Sequence, residues 1–135
     1  MPKHMRSRRS IKKQPYNDYN VIGTANNGKI KVLKARPDVK NASVPLYSNK
    51  ANTVYFIAKE FNGVDTVTSI AVYRGRRVMY NIDLDRTQGE HYHTWDEVSK
   101  DGVVKLKRDD KHKTDFNAVK QKLMQMAKDW NNGGN

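Results

Sequence analysis

Thr53-Val-Tyr-Phe-Ile-Ala-Lys59, Thr66-Val-Thr-Ser-Ile-Ala-Val-Tyr73 and Arg77-Val-Met-Tyr-Asn-Ile-Asp83 are three short runs dominated by β-branched and aromatic residues. Such residues favour the pleated, half-buried surface of a sheet. Asn62-Gly63 separates the first run from the second, and Arg74-Gly75-Arg76 separates the second from the third. The two-residue period of a strand puts Ile70 and Val72 on one face, and Val78, Tyr80 and Ile82 together on a face of the next strand. The expected product is a three-stranded antiparallel meander.

Toward the N-terminus, Tyr19–Ala25 and Lys29–Lys34 flank Asn26-Asn27-Gly28. This reads as a hairpin, because Asn-Gly tolerates the positive φ angles of a type I′ turn. From Ala35 to Thr53 the chain carries Pro37, Pro45 and little periodicity, and is expected to be a long surface loop bearing Arg36, Lys40 and Lys50. Toward the C-terminus the pattern loosens between Leu84 and Trp95, followed by an acidic turn and a short Val103-Val-Lys-Leu106 run. Thr114 as N-cap, Asp115 in the first turn, and Phe116, Val119, Leu123, Met126 and Trp130 at three- and four-residue intervals predict one amphipathic helix of about four turns. The expected fold is α+β: an antiparallel sheet of about four to five strands packed by this C-terminal helix, two layers closing one core. It occupies residues 15–131, between a basic arm over 1–14 and a frayed tail over 132–135.

A chain of 135 residues suits one domain, and without cysteine it has neither disulfides nor thiolate metal sites. The cytosol is therefore the expected compartment. No apolar run is long enough for a membrane helix. The formal charge is +12, and Lys3, Arg6, Arg8, Arg9, Lys12 and Lys13 in an acid-free N-terminal segment supply six of those charges. With almost no apolar content that arm is expected to stay disordered until a partner orders it. Excess Lys and Arg favour polyanions through phosphate contacts and counterion release. The partner expected is a nucleic acid, RNA in preference to DNA; an acidic protein is the alternative, and the arm has no apolar face for a membrane.

Glu90-His91-Tyr92-His93-Thr94-Trp95 holds half of the four histidines. In an extended segment His91 and His93 share one face, while Glu90, Tyr92 and Thr94 share the other. One imidazole can take a proton from a ribose 2′-hydroxyl while a second gives one to the leaving 5′-oxygen, which is metal-free RNA cleavage. Arg74, Arg76 and Arg77 would then steady the charge on phosphorus. The same pair, joined by Asp83 or Asp85, could instead bind a metal, but His-x-His lacks the second ligand pair of a closed site. Histidines lining a sheet edge with no chemistry are the plain alternative. Arg74-Gly75-Arg76-Arg77 also reads as a basic hairpin tip that can follow a phosphate backbone.

Ser69-Ile-Ala-Val-Tyr73, the Arg74-Gly75-Arg76 turn, Met79-Tyr-Asn-Ile-Asp-Leu-Asp85, Gly89-Glu-His-Tyr-His-Thr-Trp95 and a terminal helix after Thr114-Asp115 together resemble small phage and mobile-element domains. These are similar to the superfamily grouping barnase, EndoU, colicin E5 and D, and RelE nucleases. The resemblance spans residues 64–130 and implies nuclease positions at His91 and His93, with Arg74 to Arg77 as phosphate contacts; Glu90, next to His91 in the same segment, is the third candidate catalytic residue. The chain departs from that pattern in carrying acids, Asp83 and Asp85, just after the isoleucine. The resulting expectation is a phage- or mobile-element-encoded basic nucleic-acid-binding protein, with metal-independent endoribonuclease chemistry and no metal or cofactor. Its alternative is a non-catalytic DNA- or RNA-binding module, or a phage structural or regulatory interaction protein.

Overall fold

The computed structural model of the chain describes residues 18–39 and 44–133. The arm residues Arg6, Arg8, Arg9, Lys12 and Lys13, and Lys40 of the long loop, lie outside them. Seven strands form in chain order: β1 (Tyr19–Ala25), β2 (Ile30–Ala35), β3 (Val54–Phe61), β4 (Val64–Arg74), β5 (Arg77–Asp83), β6 (His91–Lys100) and β7 (Val103–Arg108). One helix, α1 (Ala118–Asn131), closes the described chain. Neighbours in sequence are neighbours in the sheet throughout. The expectation of a four- to five-stranded antiparallel α+β sheet is therefore corrected to a sheet-dominated fold of seven strands in one mixed sheet.

The turns follow from their residues. Asn27 (φ 56°) and Gly28 (φ 82°) occupy the centre of the β1–β2 turn, where Lys29 N–H donates to Asn26 O at 3.1 Å. Asn62-Gly63 and Asp101-Gly102 repeat the pair of positive φ angles between β3 and β4 and between β6 and β7. Both angles of such a pair match the twist of a two-residue hairpin. The exception to antiparallel pairing is β2 with β3, which run parallel. A parallel pair needs a connection that carries the chain back to the starting end. That return explains the long segment between Ala35 and Val54, which the sequence shows only as a loop.

Part of this connection holds the β4–β5 turn. Ser48 N–H donates to Arg76 O and Asn52 N–H to Gly75 O, while Asn52 Oδ1 accepts from Gly75 N–H. Val78 N–H donates to Leu46 O, and Tyr47 bridges Arg77. The basic tip is therefore a backbone-clamped turn with Arg74 and Arg76 exposed.

Each face of the sheet has its own core. Ile30, Val32, Phe56, Val67, Ile70, Tyr80 and Ile82 pack with Leu123, Met124 and Ala127 of α1. On the opposite face Leu33, Val44, Tyr55, Ile57, Ala71, Tyr73 and Val78 cluster without a helix; Val78, expected on one face with Tyr80 and Ile82, lies opposite them because the β4–β5 register shifts between Val72 and Tyr73. The helix also starts later than Thr114 predicts: Asn117 is the N-cap, its side chain accepting from Lys120 N–H at 2.9 Å. Asp115, expected in the first turn, instead accepts from the Tyr92 hydroxyl. Val119 faces solvent, so the buried stripe runs through Leu123, Met124 and Ala127. Among the described residues no helix is long and apolar enough to cross a membrane.

Candidate functional site

Strand register assembles a polar row on the helix-free face. Ser69 of β4 pairs with Asp83 of β5, and Asp83 pairs with His91 of β6. One step along, Asn81 pairs with His93. Because alternate residues share a face, Asn81 and Asp83 stand beside His93 and His91. The predicted pairing of the two histidines on one face is what the structure contains, with ring centroids 5.0 Å apart.

Hydrogen bonds orient every member of the row. Asp83 Oδ1 accepts from Ser69 Oγ–H at 2.8 Å and from Asn81 Nδ2–H at 3.0 Å. Trp95 Nε1–H in turn donates to Asn81 Oδ1 at 2.8 Å, which sets the amide so that its nitrogen faces the carboxylate. Each histidine is anchored through Nδ1, His91 to Gly89 O at 2.8 Å and His93 to Asp109 O at 2.9 Å. A carbonyl can only accept, so both Nδ1 atoms carry the proton. Both Nε2 atoms then turn to Asp83 Oδ2, at 3.4 Å from His91 and 3.5 Å from His93. The imidazoles are 4 % and 2 % exposed.

A third histidine joins them. After β7 the chain continues antiparallel along β6: Asp109 N–H donates to Thr94 O, while Tyr92 and Lys113 exchange two backbone bonds. Tyr92 packs on the helix side, so its partner Lys113 belongs to that side and the preceding residue, His112, to the other. The exposed His112 ring stacks on His91 at 3.9 Å between centroids and 2° between planes. Ligand atoms of His91, His93 and His112 lie within 4.8 Å of one another, so among the described residues these three, with Asp83 beside two of them, could hold a metal.

Other predicted site residues stand apart. Glu90 pairs with Lys128 of α1 at 2.9 Å. Asp85 folds into the β5–β6 connection, where Thr87 N–H and Gln88 N–H, in that order of effect, hold its carboxyl below the usual range. Arg77 begins β5 and Asp83 ends it, a separation of about 20 Å along an extended strand, so the arginine tip does not reach the histidines. Arg77 instead lies 4.0 Å from Glu97.

A cavity of about 1030 Å³ runs past Asp83. Ser69, Asn81 and Trp95 line it on the sheet, Asp85, Arg86 and Glu90 from the β5–β6 connection, and Lys59, Arg108 and Lys128 from further elements. No family model, curated protein or solved structure matches this chain.

Proposed function

We propose that this chain is a nucleic-acid-binding protein that holds a single strand, RNA in preference to DNA, along the cavity beside Asp83. The observation carrying this reading is the formal charge of +12 together with the placement of Lys59, Arg86, Arg108 and Lys128, against the carboxylates of Asp83, Asp85 and Glu90, around one concavity. Cations lining a groove contact phosphates and release counterions. Trp95 on the wall offers a face on which an unpaired base can stack. Single-stranded RNA suits such a groove because its bases splay freely. The six basic residues of the N-terminal arm add a sequence-independent grip.

The reading stops at binding. A base and an acid working across a ribose phosphate would both have to reach the substrate, whereas His91 and His93 are buried and aim their free nitrogens at one carboxylate. Binding of labelled single-stranded RNA, single-stranded DNA and duplex DNA across a salt series tests the proposal. Affinity should fall steeply with salt, by about 0.7 in log–log slope for each phosphate contact on a single strand. Deleting residues 1–13 should flatten that slope by up to about four for the six charges removed. Affinity indifferent to salt, or unchanged by Lys59→Ala with Arg86→Ala, would remove the groove from the account, and cleavage of RNA in EDTA would restore a catalytic role.

A further inference from the structure

We infer that His91, His93, Asp83 and His112 form a binding site for a tetrahedral divalent transition metal of the zinc class, independent of what the cavity binds. The geometry of the two buried imidazoles carries the inference. Their Nδ1–H groups are committed to the Gly89 and Asp109 carbonyls, which leaves each Nε2 facing Asp83 Oδ2. An imidazole held through one nitrogen by a backbone carbonyl, with the other free, is the usual arrangement of a metal-ligating histidine.

Distance separates a cation from a simple ion pair. A charge-assisted N–H···O⁻ bond closes to about 2.7–2.9 Å. The two contacts here are 3.4 and 3.5 Å. Zinc bonds of about 2.0–2.1 Å place neighbouring tetrahedral ligands about 3.3–3.4 Å apart. Two edges of a zinc tetrahedron, from Asp83 Oδ2 to each Nε2, thus already have the required length. Asp83 Oδ1 is taken up by Ser69 and Asn81, so Oδ2 is the oxygen presented, the carboxylate being fixed by its own outer partners. Without a cation, the lone pairs of two buried imidazole nitrogens would face one carboxylate oxygen, an arrangement that polar burial disfavours.

His112 supplies the fourth ligand. It is exposed, stacked on His91, and offers a ring nitrogen within 4.8 Å of one on His91 and one on His93, so a swing of its side chain would complete the shell. Two to three imidazoles with one carboxylate select zinc and its transition-metal neighbours over magnesium and calcium, which take oxygen ligands.

The test uses the full chain without an affinity tag, stripped by chelator, and titrated with zinc against a chromophoric competitor. One equivalent should bind, raise the melting temperature, and be reversed by EDTA; cobalt in its place should give the visible spectrum of a tetrahedral centre. His112→Ala, at an exposed position that the fold does not need, should weaken zinc by about 10–100-fold, and Ser69→Ala, through Asp83, should do so to a similar or smaller degree. His4→Ala should leave binding unchanged. Failure of the folded wild-type chain to take up zinc, an octahedral cobalt spectrum, or full affinity in both His93→Gln and His112→Ala would overturn the assignment.

Discussion

Asp83 divides its carboxylate between two tasks: one oxygen is held by Ser69 and Asn81, and the other faces His91 and His93. Its neighbour two residues on, Asp85, is spent on capping a turn, although chain position alone gives the two acids equal standing. The period of a strand makes His91 and His93 legible as a pair. His112 is not legible, because Asp109-Asp110-Lys111-His112-Lys113 carries no strand pattern and reaches the cluster only by pairing with β6. Tyr92, between the two histidines, governs this pairing on the other face. Its hydroxyl bond holds the Asp115 carboxyl below the usual range. A depressed folded value means that the stabilisation is present above the unfolded carboxylate pKa of about 3.9 and is lost as pH falls through the folded value. Tyr92→Phe should therefore lower the urea midpoint at neutral pH, and the gap from wild type should close below about pH 4. A gap that stays constant into acid would assign the loss to packing instead.

At the scale of elements, the end of α1 replaces a missing strand. β5 begins to pair with β4 only at Ser69, so the backbone of Val67, 1 % exposed, has no strand beside it on that edge. Asn131 fills the gap: its Oδ1 accepts from Val67 N–H at 2.7 Å, and its Nδ2–H donates to Val67 O at 3.1 Å. Asn131→Ala should cost about 1–3 kcal/mol for each buried group left unsatisfied, read as a shift in urea midpoint, whereas a change within a few tenths would show that water serves equally well. The sequence shows this asparagine only as the last residue before a fraying tail, since nothing local records its distant partner. Hairpins were legible because Asn-Gly carries its own geometry, yet the parallel β2–β3 pair was not. β6 and β7 were read weakly for a physical reason. Val98, Val103 and Val104 are exposed on their outer ends, so no buried face imposes alternation there.

For the whole molecule, each face of the sheet supplies a core, the face without a helix also keeps the histidine cluster, and the cavity runs past Asp83 to Lys128 and Asn131 of α1. Composition made the excess positive charge visible, but the cavity required tertiary structure, because Lys59, Arg86, Arg108 and Lys128 are dispersed along the chain. The basic tip that sequence favours is instead held by the Leu46–Asn52 segment, and its arginines do not line that concavity. The most direct measurement is a titration of isotope-labelled protein with short single-stranded RNA, followed by amide and indole chemical shifts. The account expects the Trp95 indole N–H and the amides of Lys59, Arg86 and Arg108 to shift together and saturably; saturable shifts confined to the Arg74–Arg77 turn, with Trp95 unmoved, would contradict it.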